Sequence, residues 1–385
     1  MKRISLIAIM ALMGIGSVAA KSSTTLPIVG EVVKATNPLI QYVGRVSFAK
    51  NETASFNFPG TSIFARFQGS SLKMICRPMT GYFMAQVDGC EPFKVGFNAE
   101  RDSVVTVAAA LPKGEHQVKL MYVIEGLFRT PEFRGFVLDK GCSLVKSPDL
   151  PERKIEFIGN SITCGYGVES IEMTDPFEDE TENHWLTYAN IVSDSLNAQH
   201  TSISRSGIGV YRNYDGPKAG SDENMPWQYE YTLFNKHDEK WNFNKYQPQL
   251  VCINLGTNDL STNNYDIALY EKNYRMFLTT VRSKYPNAKI VLITGPMLGE
   301  KESGEQREVL DRICSDAIKK GFTLPEEVRK ARKGKNKGDK DIYRFDFTFQ
   351  TGDLGYGASW HPSKLQHQKM ADELLPFLRN LMGWE

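Results

Sequence analysis

Apolar and polar residues alternate in short runs from about Leu26 to Ser147, as in ASFNFPG, SIFARFQG and YFMAQVDG. Most runs end at Gly, Pro, Asn or Asp, and they follow one another at nearly regular intervals. A period of two that is closed by turn residues is typical of antiparallel strands in a β-sandwich or jelly roll. The pattern therefore predicts an all-β domain of the jelly-roll type over residues 26–147.

The pattern changes at VKSPDLPERK, where two prolines and alternating charges replace the apolar period. Such a segment is typical of a domain boundary, so we place a linker at residues 148–153. Over residues 154–385 apolar strands alternate with long helical patterns, which predicts a second, α/β domain with a parallel sheet covered by helices on both faces. The predicted strands are Lys154–Ile158, His200–Ser204, Leu250–Asn254, Lys289–Thr294 and Ile342–Phe347, and the predicted helices are Leu186–Asn197, Tyr265–Lys284, Glu305–Lys320 and Ser363–Met382.

The near-zero net charge of the chain argues against nucleic-acid binding. Lys and Arg number 46 against 45 Asp and Glu, so the 385 residues show no electrostatic footprint of nucleic-acid binding, and a neutral or weakly charged substrate is expected. The charged run Glu326–Asp341 has no apolar face. We interpret it as a solvated, mobile excursion before the last strand rather than a basic binding patch.

The first 20 residues have the pattern of a secretory signal peptide. Lys2 and Arg3 precede an apolar run, and the small residues Val18-Ala19-Ala20 suit cleavage after Ala20. A membrane anchor is the alternative, but the run is shorter than the roughly 20 residues that a bilayer requires. The pattern predicts a secreted or periplasmic protein with no membrane attachment after cleavage. Export permits disulfides, and a pair between Cys76 and Cys90 stays open.

Four segments carry candidate chemistry at the predicted edge of the parallel sheet. Ser161 stands in GNSITCGYG after the first strand, Gly207 in SRSGIG after the second, and Asn258 in LGTND after the third. His361, in SWHPS, comes just before the last helix. Sites in such folds gather beyond the carboxyl ends of the strands, so we expect these segments to meet.

Together these residues can transfer an acyl group. A serine hydroxyl is a weak nucleophile until a base takes its proton, and His361 can be that base because histidine titrates near neutrality. The developing oxyanion needs preorganised donors, which we assign to the Ser161 N–H, the Gly207 N–H and the Asn258 side-chain amide. This mechanism requires no metal or organic cofactor, and none is predicted.

Each of these residues can alternatively have a purely structural role. Ser161 can cap the turn after the strand, Asn258 and Asp259 can be turn residues, and His361 can simply begin a helix. The four segments in this order favour catalysis, with Asp259 as a structural residue that binds nearby backbone. The histidines with no motif around them are interpreted as surface or core residues: His184, His200, His237 and His367.

The segments GNSITCGYG, SGIGVYRNYDG, MPWQYEYT, INLGTND and WHPS, preceded by a β-rich domain, resemble the SGNH (GDSL-like) hydrolase superfamily and, within it, carbohydrate esterase family 2. The resemblance covers nearly the whole chain after the signal peptide. It implies a flavodoxin-like three-layer α/β/α fold for the second domain. It also implies the family's activity, that of an acetyl xylan esterase, which removes O-acetyl groups from xylan, mannans or glucomannans, with a preference for the sugar 6-hydroxyl.

The sequence departs from that pattern at one place. Many SGNH hydrolases carry an Asp three residues before the histidine, and some members of the esterase family carry one two residues before it, but here Ala358 and Ser359 occupy these positions. In some family members a backbone carbonyl orients the imidazole instead, so the resemblance implies a Ser161–His361 dyad. Asp353, in the turn TGDLGYG, is the remaining candidate for a third member.

Four aromatic residues in or beside these segments are candidates for substrate binding, because sugar rings stack on aromatic faces. They are Trp360, Tyr166, Trp227 and Tyr211, and core packing is the alternative for each. We expect a monomer whose partner is an acetylated polysaccharide or oligosaccharide. Two other functions stay open: an SGNH esterase or lipase that acts on a sialate, lipid or other acyl ester, and a non-catalytic glycan-binding protein.

Overall fold

The computed structural model describes residues 28–50, 52–262, 264–332 and 338–385. The predicted signal peptide, residues 1–20, lies outside the described residues. The N-terminal part of the described chain consists of short strands: β1 Glu31–Lys34, β2 Gln41–Val43, β3 Ala54–Ser55, β4 Ser62–Gly69, β5 Leu72–Cys76, β6 Gly81–Val87, β7 Phe93–Phe97, β8 Val104–Ala108, β9 Gly114–Tyr122, β10 Glu132–Leu138 and β11 Leu144–Val145.

These strands form two antiparallel sheets. One has the order β1-β10-β5-β8, with β3 on β10, and the other has the order β11-β4-β9-β6-β7, with β2 on β4. Apolar residues from both sheets share one buried cluster, to which Met74, Phe83, Leu120 and Phe136 belong. We call this part, up to residue 147, the β-rich region. The all-β prediction is thus confirmed for the secondary structure, whereas the jelly-roll connectivity stays a prediction.

The rest of the chain alternates strands and helices, as predicted. Its strands are β12 Arg153–Gly159, β13 Ala198–Ser204, β14 Tyr231–Leu233, β15 Lys236–Lys240, β16 Leu250–Asn254, β17 Lys289–Thr294 and β18 Ile342–Asp346. Its helices are α1 Ser161–Cys164, α2 Tyr188–Ser195, α3 Met225–Gln228, α4 Thr257–Leu260, α5 Ile267–Lys284, α6 Glu300–Lys320, α7 Glu326–Ala331 and α8 Lys364–Met382, with short 3₁₀ turns at His184–Leu186, Phe243–Lys245 and Ala358–Trp360.

Five strands form one parallel sheet in the order β13-β12-β16-β17-β18. Side chains alternate between the two faces of a strand, so Ile155 and Phe157 of β12 pack on one face with α2 and α8, while Ile158 packs on the other with α5 and α6. The result is the predicted three-layer α/β/α arrangement. It brings the ends of β12, β13 and β16 side by side, where Ser161, Gly207 and Asn258 follow.

The prediction for the charged run Glu326–Asp341 was wrong in part. Residues 326–331 form α7, and Asp339 is fully buried. The Asp339 carboxylate pairs with Arg282 Nε at 2.7 Å and with Arg332 Nη1 at 3.0 Å. Sequence periodicity did not reveal this cluster, because its arginine partner on α5 lies far away along the chain.

All six cysteines are free. Cys76 is buried and Cys90 is exposed, and no disulfide joins them. Within the described ranges, every helix is too short or too polar to cross a membrane.

Candidate active site

Ser161 is the first residue of α1, and only Asn160 separates it from the end of strand β12. Asn160 caps this helical turn, since its side-chain oxygen accepts a hydrogen bond from the Ile162 N–H at 3.1 Å. The first N–H groups of a helix have no partner within the helix. Among the described residues, nothing accepts a hydrogen bond from the Ser161 N–H. The hydroxyl and the free N–H of Ser161 are therefore offered at the same edge of the sheet.

The His361 imidazole lies against the Ser161 hydroxyl, with 2.8 Å between Nε2 and Oγ. On the other side of the ring, Nδ1 lies 3.0 Å from the Ala358 carbonyl oxygen and 3.2 Å from that of Ser359. A carbonyl can only accept, so Nδ1 carries the ring proton. Nε2 is therefore unprotonated and accepts the hydrogen bond from Ser161 Oγ–H, which is the arrangement that a general base requires.

A strained turn aims these carbonyls at the imidazole. Ser359 and Trp360 have φ values of +50° and +57°, in the left-handed region that residues other than glycine rarely adopt. Strain of this kind is held where the surrounding structure determines it, and it clusters at functional sites. The other candidate for a third member, Asp353, does not contact the ring: its carboxylate is exposed and accepts from the Thr351 hydroxyl at 2.9 Å. The structure thus corrects that assignment.

Close packing of two loops brings His361 to Ser161. Gly167 lies three residues past the end of α1 and has a φ of +57°. A Cβ there would lie 2.3 Å from the Ala358 Cβ. The Gly167 carbonyl accepts a hydrogen bond from the Ala358 N–H at 3.0 Å. Only a glycine permits this approach, which explains the last glycine of GNSITCGYG.

The imidazole is enclosed as well as oriented. The Tyr166 ring stacks on it with 4.1 Å between ring centroids and 26° between planes. Burial lowers the pKa of His361 to about 4, although the Ala358 and Ser359 carbonyls act in the opposite direction. The ring is therefore neutral at neutral pH and ready to accept a proton.

The three predicted oxyanion donors lie on neighbouring loops. Gly207 has a φ of +73°, and a Cβ there would meet no atom within 4 Å, so the space before it is open. Within the described part of the chain no acceptor takes the Gly207 N–H. Asn258 Nδ2 donates to the Ile208 carbonyl at 2.8 Å, and since an amide nitrogen carries two hydrogens, one remains for an oxyanion.

Asp259 has the structural role that the sequence suggested. Its buried carboxylate accepts backbone N–H groups from Val210 at 3.0 Å, Tyr211 at 2.8 Å and Arg212 at 3.0 Å. Burial raises the pKa of Asp259 to about 6, against the effect of these hydrogen bonds. The contacts fasten the loop that carries Gly207 to the helix that carries Asn258.

Comparisons with known proteins show the family of this chain. The sequence matches the family Carbohydrate esterase 2 N-terminal over residues 42–148 and the family GDSL-like Lipase/Acylhydrolase over residues 155–374. A solved family two carbohydrate esterase from Clostridium thermocellum, in complex with cellohexaose, is 33% identical with a TM-score of 0.79, over 90% of this chain and all of that one. The chain belongs to carbohydrate esterase family 2. It is a carboxylic ester hydrolase of the GDSL-like type.

Two relatives found by sequence comparison also have names that include an esterase activity. The Cellulase/esterase CelE of Acetivibrio thermocellus is 34% identical over 90% of this esterase, which spans only 40% of that protein's length. An Acetylxylan esterase / glucomannan deacetylase of Cellvibrio japonicus is 27% identical over 91% of both chains.

The four aromatic candidates for substrate binding in this esterase differ in their exposure and in their contacts. Trp360 is 52% exposed directly beside His361, and Tyr166 is half-buried on the imidazole. Trp227 is half-buried, and its ring lies against that of His237 with 3.8 Å between ring centroids and 51° between planes. Tyr211 is only 1% exposed, and its hydroxyl accepts from the Asp266 N–H, so it belongs to the core and its assignment to substrate binding was wrong.

The sequence reasoning missed a buried acidic cluster next to the site. Among the described residues, Glu125, Cys164 and Glu182 form the one group of three whose ligand atoms could hold a metal ion, all within 4.8 Å of one another. Burial raises the pKa of both carboxyls, and the charge of Glu125 raises that of Glu182 further. Nothing near Glu125 in the sequence signals this, because its contacts join the β-rich region to the parallel sheet.

Proposed function

We propose that this esterase removes O-acetyl groups from a plant cell-wall polysaccharide of the xylan or glucomannan type, acting at the 6-hydroxyl where the sugar is a hexose. The observation that carries the proposal is the contact of 2.8 Å between Ser161 Oγ and an unprotonated His361 Nε2. Half-exposed Trp360 beside it offers an aromatic face for a sugar ring. The names of the Cellvibrio japonicus relative and the cellohexaose bound to the Clostridium thermocellum relative support a polysaccharide substrate.

The proposed reaction has two halves. Ser161 Oγ attacks the acetyl carbonyl carbon while its proton passes to His361 Nε2, and the oxyanion is stabilised by the donors of Ser161, Gly207 and Asn258. The tetrahedral species expels the sugar oxygen, which takes the proton from His361 and leaves an acetyl group on Ser161. Water then attacks this acetyl-enzyme and gives one proton to Nε2. Acetic acid departs as Ser161 Oγ takes that proton back, and the acid ionises to acetate in solution.

We also propose the sequence-based organisation: a signal peptide at residues 1–20, a β domain at 26–147, a linker at 148–153 and a catalytic domain at 154–385. Export to the cell exterior or periplasm rests on the signal-peptide pattern alone. We propose that the exported esterase acts as a monomer.

Acetate release from acetylated xylan, acetylated glucomannan and an aryl acetate tests the proposed substrate. We expect the wild-type esterase to act on at least one polymer. Replacing Trp360 by Ala is expected to raise KM for that polymer about tenfold, with little change for the aryl acetate, because only the polymer has a sugar ring to stack. Activity on the aryl acetate with none on either polymer would mean that another acyl ester is the substrate.

The pH dependence follows from the burial of His361. The base must be neutral, and its pKa is lowered to about 4, so kcat/KM is expected to rise through about pH 4 and to be flat from about pH 5 to neutrality. The measurement is kcat/KM for an aryl acetate from roughly pH 3 to pH 8, with circular dichroism at each pH to show that the protein stays folded. A half-maximal value near the ordinary histidine pKa would contradict the expectation.

Replacing Asn258 by Ala removes one proposed oxyanion donor. We expect kcat to fall about 100- to 1000-fold with little change in KM, because the donor acts on charge that develops in the transition state. Asn273→Ala is the matched control, since Asn273 Nδ2 also donates to a backbone carbonyl at 2.8 Å, that of Leu269, on helix α5. Equal losses in the two variants would show that a general loss of structure, not the oxyanion, explains the effect.

A further inference from the structure

Glu125 reaches the site from the β-rich region. It follows strand β9 and is only 4% exposed. Its segment is fixed on both sides, because the Val123 N–H donates to the Tyr82 carbonyl at 3.1 Å and the Gly126 N–H donates to the Asn57 carbonyl at 2.9 Å. The backbone on both sides of Glu125 is therefore fixed within the β-rich region.

The carboxylate of Glu125 contacts both loops that carry backbone oxyanion donors. Its Oε2 accepts the Ser206 N–H at 2.6 Å, and Ser206 directly precedes Gly207. The same oxygen accepts the Cys164 thiol at 3.8 Å, and Cys164 is the last residue of the single helical turn that Ser161 begins. One oxygen atom thus connects the loop of Gly207 to the helical turn of Ser161.

A second carboxyl group holds Glu125 in turn. Glu182 is fully buried, and its Oε2 accepts the Glu125 N–H at 3.0 Å. The Cys164 thiol also lies 3.3 Å from Ser204 Oγ, at the end of β13. Burial together with the charge of Glu125 raises the pKa of Glu182 well above its usual range.

We propose that Glu125 is a positioning residue that fixes the Gly207 N–H relative to the Ser161 N–H, so that the β-rich region is part of the catalytic apparatus. The inference rests on the proposed function in taking acyl transfer at Ser161 as the reaction. What the position requires is an oxygen that accepts the Ser206 N–H. Its charge is not required, so an amide oxygen in the same place serves equally.

Kinetics of Glu125 variants with an aryl acetate at neutral pH test this. Glu125→Ala is expected to lower kcat about 10- to 100-fold with KM within about threefold of wild type, because displaced donors weaken only the transition state. Glu125→Gln, which keeps an acceptor oxygen, is expected to restore kcat to within about threefold. Glu125→Asp keeps the charge but is one methylene shorter, so its kcat should lie near that of the Ala variant. If Glu125→Ala does not fold, the comparison of Glu125→Asp with Glu125→Gln is sufficient to test the proposal.

Glu156 supplies the matched control for the cost of losing a buried carboxylate. It is 1% exposed on β12 and accepts hydrogen bonds from the Tyr229 and Tyr285 hydroxyls at 2.7 and 2.8 Å. Glu156→Gln, assayed below its own melting temperature, is expected to keep kcat. The proposal is overturned if Glu125→Asp keeps wild-type kcat, if Glu125→Gln loses as much as Glu125→Asp, or if KM alone changes. Because the substrate is an aryl acetate, these results stand even when the proposed polysaccharide proves wrong.

Discussion

Replacing Ser161 by Ala is expected to lower kcat for acetate release by about 10⁴-fold or more. The variant keeps the N–H of residue 161 and the other oxyanion donors, but it removes the atom that forms the acyl bond. Substrate binding does not use the hydroxyl, so KM for any residual reaction should change little. The measurement is the initial rate of acetate release from an aryl acetate and from an acetylated polysaccharide, with the purified variant at high concentration.

Ser193→Ala is the matched control for Ser161→Ala. Ser193 is also a buried serine, but its hydroxyl binds the Ala189 carbonyl of its own helix at 2.7 Å, away from the site. The activity of Ser193→Ala is expected to equal that of the wild type. Full acetate release by Ser161→Ala would falsify the esterase mechanism and would favour another nucleophile.

Replacing His361 by Ala should be nearly as damaging, with a fall in kcat of about 10⁴-fold. Without the imidazole nothing in contact with Ser161 Oγ takes its proton, and nothing protonates the departing sugar oxygen. Because Ser161 and His361 act as a unit, the double variant is expected to lose no more than either single variant. Rates of all three variants against one aryl acetate measure this.

His116→Ala controls for the loss of a buried histidine. His116 is 8% exposed in the β-rich region, where its ring lies 2.6 Å from an Asp88 oxygen and 2.8 Å from the Pro112 carbonyl. We expect wild-type kcat from this variant. Multiplicative losses in the Ser161 and His361 double variant would instead mean that the two residues act independently, contrary to their contact of 2.8 Å.

Several elements of the α/β part followed directly from local sequence. Leu250–Asn254 and Lys289–Thr294 were predicted with the bounds that the structure has, because buried parallel strands are continuous apolar runs. Helix ends were predicted to within a few residues, and α6 begins five positions before the predicted Glu305, at Glu300. Because the first turn of α6 is polar, a search for an apolar period does not detect it.

The chain by itself determined which residues could perform the chemistry and that they would meet. Ser161, Gly207 and Asn258 follow three parallel strands, and the carboxyl ends of such strands lie at one edge. Only the tertiary structure decided the orientation of His361 by the Ala358 and Ser359 carbonyls, the burial of Tyr211, and the place of Glu125 beside Ser206. The physical reason is that strand and helix patterns depend on neighbours along the chain. Burial and hydrogen bonding at the site depend instead on loops that are distant in sequence and meet only when the two sheets of the β-rich region and the parallel sheet pack together.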